Sequence, residues 1–211
     1  MKFVPELSPE EIKTNYENFK KRISLYKNRG LDFLGSRNFI LDKTKPLDGK
    51  ILEIGTGNGH MTLALARAGY KFISIDKDRE ALKIAALNLA HEKVLHNVIF
   101  YVMDGKFLTF NDRSFNHIVV VNLFHHIKDV SRMFFEINRV LCPGGRAVLV
   151  DFNKKGMEIV NRVHKEQGSK HEDSGVGKDC VYSYFDGLGY DIKKYDEKCH
   201  WLLVAQKLLE G

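Results

Sequence analysis

The sequence predicts an α/β protein built on a doubly wound, mostly parallel sheet. Three observations predict it. From Lys50 onward, short and nearly continuous apolar runs alternate with helical patterns, as a parallel sheet covered on both faces requires. The first of these runs breaks into Gly55-Thr-Gly-Asn-Gly59, where a strand hands over to a helix. An acid, Asp76, closes the second run about twenty residues further on. Glycines let backbone approach a ligand closely and a carboxylate can accept from ribose hydroxyls. The pairing therefore reads as a nucleoside-binding arrangement.

Each element has its own signal. Ser8-Pro-Glu-Glu11 starts a helix, with Ser8 as N-cap, Pro9 at the first position and acids in the first turn. Ile12, Tyr16, Phe19, Ile23 and Tyr26 recur at helical spacing to about Asn28, and Gly30 stops the run. A shorter helix is expected between Leu31 and Leu41, before Pro46-Leu-Asp-Gly49 turns the chain. Strands are expected at Lys50 to Ile54, Phe72 to Ile75, Val98 to Val102, His117 to Val121 and Arg146 to Phe152. Helices are expected at His60 to Ala68, Asp78 to His91 and Val130 to Leu141. Lys154 to Gly168 reads as an additional helix and Val181 to Leu188 as the last one. Tyr190 to Tyr195 and His200 to Leu208 then form a hairpin through Asp196-Glu-Lys-Cys199.

Composition narrows the class. With 211 residues, 44% hydrophobic and 28% charged, the chain has globular values and room for one domain with a substantial core. No apolar run approaches the roughly 18 residues that span a bilayer, and the N-terminus lacks a signal-peptide core. Cys142, Cys180 and Cys199 are scattered, odd in number and without metal-ligand spacing. A cytoplasmic enzyme or binding protein fits these features, with no membrane partner. Of the net charge of +6, residues 1–50 carry +4, from 11 Lys/Arg against 7 Asp/Glu. That excess suits an anionic substrate or a nucleic-acid backbone, and suits a solvated helix face equally well.

The motifs, taken together, resemble those of the class I S-adenosylmethionine-dependent methyltransferases, small-molecule type-11-like, over roughly Lys50 to Lys207. Glu53-Ile-Gly-Thr-Gly-Asn-Gly59 is similar to that family's first motif, Ile75-Asp76 to its second and Val102-Met-Asp104 to its third. Ser114 to Asn122 resembles its fourth strand, and Arg139-Val-Leu-Cys-Pro-Gly-Gly145 the turn into its fifth. The resemblance implies a Rossmann-like sheet of seven strands in the order 3-2-1-4-5-7-6, closed by the antiparallel hairpin. It implies S-adenosylmethionine as cofactor and S-adenosylhomocysteine as product. It also implies an N-terminal helical lid or extension over 1–49 and a core over 50–211, with a lid insertion at about 153–176.

Roles follow residue by residue. Gly55, Gly57 and Gly59 would let the chain pass the methionine moiety and sugar without Cβ clashes, flanked by Thr56 and Asn58. Glu53 would hold the cofactor ammonium, and Asp76, with Lys77 beside it, the ribose hydroxyls. Asp104 would accept from the adenine amino group while Met103 and Gly105 flank the ring. Asn122 and Leu123 would face the transferable methyl group. His125 or His126 could serve as general base. His164, Glu166, His171, Glu172 and Asp173 cluster in the lid insertion, as a polar clamp or a metal site; no metal is assigned.

The acceptor is read from absences. Asn122-Leu-Phe-His replaces the Asn/Asp-Pro-Pro-aromatic run of enzymes that methylate exocyclic amines, and Cys142 is too far along the chain to be a carbon-5 nucleophile. These features point to a small-molecule acceptor, with catalysis resting on in-line alignment. An RNA or protein methyltransferase, and a non-catalytic S-adenosylmethionine-binding protein, remain as alternatives. Nothing in the sequence gives the accepting atom or the oligomeric state.

Overall fold

In the computed structural model, which describes residues 1–169 and 173–209, Ser8 caps the first helix. Its hydroxyl accepts from Glu11 N while the Glu11 carboxylate accepts from Ser8 N, a reciprocal capping box that fixes where the helix starts. The helix, α1 (Pro9–Lys27), follows a two-residue strand, β1 (Lys2–Phe3), and is followed by α2 (Phe33–Thr44). The α/β repeat then runs β2 (Ile51–Ile54), α3 (His60–Arg67), β3 (Phe72–Asp76), α4 (Arg79–His91), β4 (Val98–Val102), β5 (Phe115–Val121), α5 (Ser131–Val140) and β6 (Leu141–Phe152). The chain ends α6 (Lys154–Glu166), α7 (Lys178–Gly187), β7 (Asp191–Asp196) and β8 (His200–Gln206).

The sheet holds eight strands in the order β1-β4-β3-β2-β5-β6-β8-β7, which corrects the expected seven-stranded order. The additional strand is β1, whose Lys2 and Phe3 pair antiparallel with Tyr101 and Phe100 on what would otherwise be an open edge. Two residues are too few to show a period, so the sequence could not announce it. From β4 to β7 the strands run in the relative order that the resemblance implied, parallel except for β8, which pairs antiparallel with both β6 and β7.

A second correction concerns β6, which starts at Leu141 rather than Arg146. Leu141 pairs with Phe115, and Gly144 and Gly145 exchange backbone bonds with Lys207, so the Pro-Gly-Gly segment stays in the sheet. The register shifts between Phe115 and His117 to absorb the irregularity.

Strand residues alternate between two cores. Leu52, Ile54, Ile118, Val120 and Leu149 pack with α5 and α7, whereas Ile51, Val119, Val121, Val148 and Val150 pack with α1, α3 and α4. A third cluster joins the end of α1 to α6 through Tyr26, Leu31, Phe33, Ile159, Val160 and Val163. It holds these helices over the carboxyl ends of β2, β5 and β6, the side where open α/β sheets bind ligands. No helix among the described residues is long and apolar enough to cross a membrane.

Candidate cofactor and acceptor site

Glu53 is the one acid in the buried strand β2, with 2% of its surface exposed. Its Oε2 accepts from Thr62 Oγ1 at 2.8 Å and from Ser74 Oγ at 2.6 Å, and Ser74 Oγ meets Thr56 Oγ1 at 2.6 Å. Burial pushes the Glu53 carboxyl up to about 7, against the pull of those two hydroxyls and of Arg37, while Asp76 adds to the push. Around neutral pH the group can therefore pair with a cation or take up a proton.

The glycine loop follows directly. Gly57 (φ +49°) donates its N–H to Asp76 Oδ2 at 2.9 Å, and Asp78 N donates to Oδ1 at 3.0 Å, so the ends of β2 and β3 are tied together. A Cβ at Gly57 would meet nothing within 4 Å. The other two glycines answer to packing. A Cβ on Gly55 would lie 2.8 Å from Leu123 Cδ2, and one on Gly59 2.9 Å from Ala85 Cα. Packing thus adds its own demand at two of the three glycines: Gly59 permits α3 and α4 to approach, and Leu123 covers Gly55.

Asn58 offers its carbonyl to Asn88, which also accepts from Asn15 on α1. Lys77 is exposed just past β3. Met103 is buried, with its N–H on the Asp76 carbonyl at 2.9 Å. Asp104 Oδ1 accepts from Lys106 N, and a Cβ on Gly105 would fall 2.7 Å from Ile54 Cγ2. Met103, Asp104 and Gly105 thus form a shelf next to Asp76.

A cavity of about 230 Å³ lies beside the loop. Gly55 to Asn58, Asn122 and His125 line it from the sheet side; Arg22 and Tyr26 of α1, Phe33 and Arg37 of α2, and Val160 and His164 of α6 line it from above. Asn122 takes φ +56°, a conformation asparagine tolerates better than most residues, and its buried Oδ1 has no hydrogen-bond partner among the described residues. His125 is 3% exposed, with Nδ1 2.6 Å from Asp151 Oδ1 and its backbone N on Asp151 Oδ2 at 3.1 Å. The His126 ring packs against it at a tilt of 47°, ring centroids 4.0 Å apart. His164 Nδ1 is 3.2 Å from Ser169 Oγ, and burial followed by the Arg22 charge holds its imidazole below the usual range. His60 is sandwiched by Phe19 and Phe33 at 4.7 and 4.6 Å; loss of solvent, then Arg37 and Arg22, push it down to about 3. It is therefore a neutral stacking ring at ordinary pH.

Two residues went unread in the sequence. Arg37 is 4% exposed, stacks 5.3 Å over Phe33, lies 3.4 Å from His200 Nε2, and leaves its Nε without a partner among the described residues. Burial pulls this guanidinium down to about 10 despite Glu53, Asp151 and Glu197 nearby. No local pattern marks Arg37. Asp151 had a signal, an acid closing the apolar run Ala147-Val-Leu-Val150, the same signal that singled out Asp76.

The described members of the lid cluster have separate partners, His164 facing Ser169. Glu166 pairs with Arg29, tying α6 to the N-terminal segment. Asp173 Oδ1 accepts from Gly175 N at 2.9 Å. His171 and Glu172 lie outside the described residues. Among those described, no three His, Cys, Asp or Glu side chains converge as metal ligands.

Residues 52–149 match a family model described as a methyltransferase domain. An uncharacterized methyltransferase of Bacillus subtilis, YcgJ, is 32% identical over 191 residues, spanning 87% of this chain and 75% of that protein. The chain belongs to the class I S-adenosylmethionine-dependent methyltransferases. This methyltransferase shares its fold with the crystal structure of YcgJ, at a TM-score of 0.65 over 84% of this chain and 99% of that one, with 21% identity. It is also 26% identical over 140 residues to the ubiquinone/menaquinone biosynthesis C-methyltransferase UbiE of Marinomonas, covering 65% of this chain and 56% of that protein. Its cofactor is S-adenosylmethionine.

Proposed function

We propose that this methyltransferase acts on a small-molecule acceptor enclosed between the carboxyl edge of the sheet and helices α1, α2 and α6. The observation that carries this reading is the cavity of about 230 Å³, walled by all three helices and reaching the glycine loop. Its size suits a compact organic molecule better than a polymer. The likeness to a quinone-pathway C-methyltransferase points the same way. Residues 1–49 and 153–176 act here as the lid over a core of 50–211.

The residues present fit the cofactor. Its methionine end carries an ammonium and a carboxylate, and the buried pair Glu53 and Arg37 supplies one opposite charge for each. Asn122 Oδ1 and Arg37 Nε, both without a partner among the described residues, add an acceptor for the ammonium and a donor for the carboxylate. Asp76, already fixed by two backbone N–H groups, keeps lone pairs for the ribose hydroxyls. Met103, Asp104 and Gly105 form the adenine shelf, and Gly57 leaves room for the sugar. Thr56, Asn58, Gly59, Lys77 and Leu123 flank the ligand or shape the loop.

When bound, the sulfonium supplies an already electrophilic methyl group. The chain therefore has three tasks: to hold the acceptor in line, to keep water out and to take a proton where the acceptor carries one. Phe33, Val160 and Phe152 exclude water, and His164 offers a polar wall contact. His125 is the base. His171, read only from the sequence, is a further candidate for contact with the acceptor.

Incubating the protein with methyl-labelled S-adenosylmethionine and, separately, with dialysable metabolite, RNA and protein fractions tests the reading. Label is expected in the dialysable fraction. Label confined to RNA or protein, with steep salt dependence, would overturn it.

A further inference from the structure

The side of the cavity away from the glycine loop is organised by Asp151. The sequence carries this acid into the end of β6, and its two oxygens take three donors there: Phe152 N at 2.7 Å, His125 N at 3.1 Å and His125 Nδ1 at 2.6 Å. An ionised carboxylate only accepts, so facing Asp151 sets the proton of the neutral ring on Nδ1 and leaves Nε2 as the basic nitrogen. The pair is 3% and 2% exposed in its side chains, which confines the imidazole to one orientation, and the His125 side of the pair lines the cavity. A base held in one tautomer by a buried carboxylate suits an acceptor that must lose a proton as the methyl group arrives.

We propose that the acceptor atom is a weakly acidic hydroxyl oxygen, phenolic or enolic, deprotonated by His125 and governed by Asp151 as a positioning residue. This rests on the small-molecule reading above. The acceptor O–H bond breaks, its electron pair staying on oxygen and its proton passing to His125 Nε2. The oxygen pair forms the bond to the methyl carbon, whose bonding pair to the donor sulfur stays on sulfur. The imidazolium that results faces Asp151, which stabilises its charge. A thiol ionises more easily than a phenol and leans less on such a base. A phenol or enol lies closer in acidity to an imidazole than an aliphatic alcohol does, so its proton passes to such a base more readily.

Other charges surround the pair. Arg37 of α2 and the buried His200 of β8 act electrostatically on Asp151. His126 packs at a tilt against His125, and His164 of α6 lines the same cavity. A pH profile therefore needs an Asp151 variant to isolate the dyad.

Two readouts test the proposal. Two-bond 1H–15N spectra of the wild-type protein with S-adenosylhomocysteine should show the neutral His125 protonated at Nδ1 and bare at Nε2. Turnover is then compared for phenol, enol, thiol and amine acceptors. Asp151→Asn sets an NH2 against at least one of the three donors. It should lower turnover on hydroxyl acceptors about 100-fold, with S-adenosylhomocysteine affinity unchanged within about twofold. The acid limb of its pH–rate profile should move to lower pH, because the imidazolium loses its anion. If Asp151→Asn fails to fold, the wild-type spectra and His125→Gln, with the same expected loss of turnover, replace it. A proton on Nε2 in the neutral wild-type ring would overturn the dyad. Methylation of thiols or amines alone, untouched by Asp151→Asn, would overturn the hydroxyl assignment while leaving the small-molecule reading intact. Methylation of RNA or protein alone, with the expected spectra, would overturn the parent reading instead.

Discussion

The donor half and the acceptor half of this site are built in opposite ways. Glu53, Gly55 to Gly59, Asp76 and Met103 to Gly105 come from three successive strand ends, within about fifty residues of chain. Arg22, Phe33, His125, Asp151 and His164 come from α1, α2, the segment after β5, β6 and α6, and meet only through tertiary packing. The donor half depends on backbone conformation and fixed strand pairing, as in the Gly57–Asp76 bond. The acceptor half depends on how α1, α2 and α6 settle over the sheet through the cluster around Tyr26, Phe33 and Val163. A ligand common to a family can be held by the first kind of construction. A ligand particular to one member calls for the second.

The loop glycines offer the largest contrast. Gly59→Ala places a Cβ at positive φ against the Ala85 backbone. It should destabilise the fold by about 3 kcal/mol, from left-handed strain plus overpacking. Gly57→Ala meets no neighbour and should cost about 1 kcal/mol of strain. It should weaken S-adenosylhomocysteine binding all the same, because the new methyl group enters the donor cleft. Thermal unfolding and calorimetry on both variants check this, and equal melting temperatures would erase the distinction between packing and ligand glycines.

A smaller effect comes from Glu53. Its carboxyl is raised to about 7 in the folded protein, so the folded state holds that proton more tightly than the unfolded chain. Its contribution to stability is greatest below about 4.5 and is lost as pH rises through about 7. Donor binding runs the other way, because the ammonium needs the carboxylate. Affinity for S-adenosylhomocysteine should weaken as pH falls below 7, by at most about tenfold per unit. Glu53→Gln should flatten that dependence and bind more weakly at pH 8. A wild-type affinity unchanged between pH 6 and 8 would detach Glu53 from the ammonium.

The same contrast explains what could be read in advance. Alternating apolar runs reported the order of helices and strands because the period of burial is local. The spacing of Gly57 and Asp76 reported the donor half because neighbouring parallel strands bring their ends together. Strand β1 stayed hidden because two residues carry no period, and the Pro-Gly-Gly run at 143–145 read as a turn although Lys207, just past β8, keeps it bonded along the sheet. Gly59 also answers to a contact the sequence does not show, since Ala85 on the next helix leaves no room for a Cβ there. Arg37 was invisible, its neighbours Phe33, Glu53 and His200 being distant in sequence or unremarkable in type. Asp151 was visible as an oddity, a carboxylate in an apolar strand, but its partner His125 belongs to a different crossover.

The division of labour is tested most directly by calorimetric titration of S-adenosylhomocysteine into wild type, Asp76→Ala and His125→Gln. Asp76→Ala removes charge-assisted bonds to the ribose and should weaken binding more than about tenfold. His125→Gln should bind within about twofold of wild type while losing turnover. Unchanged affinity in Asp76→Ala, or an equal loss in both variants, would contradict the account.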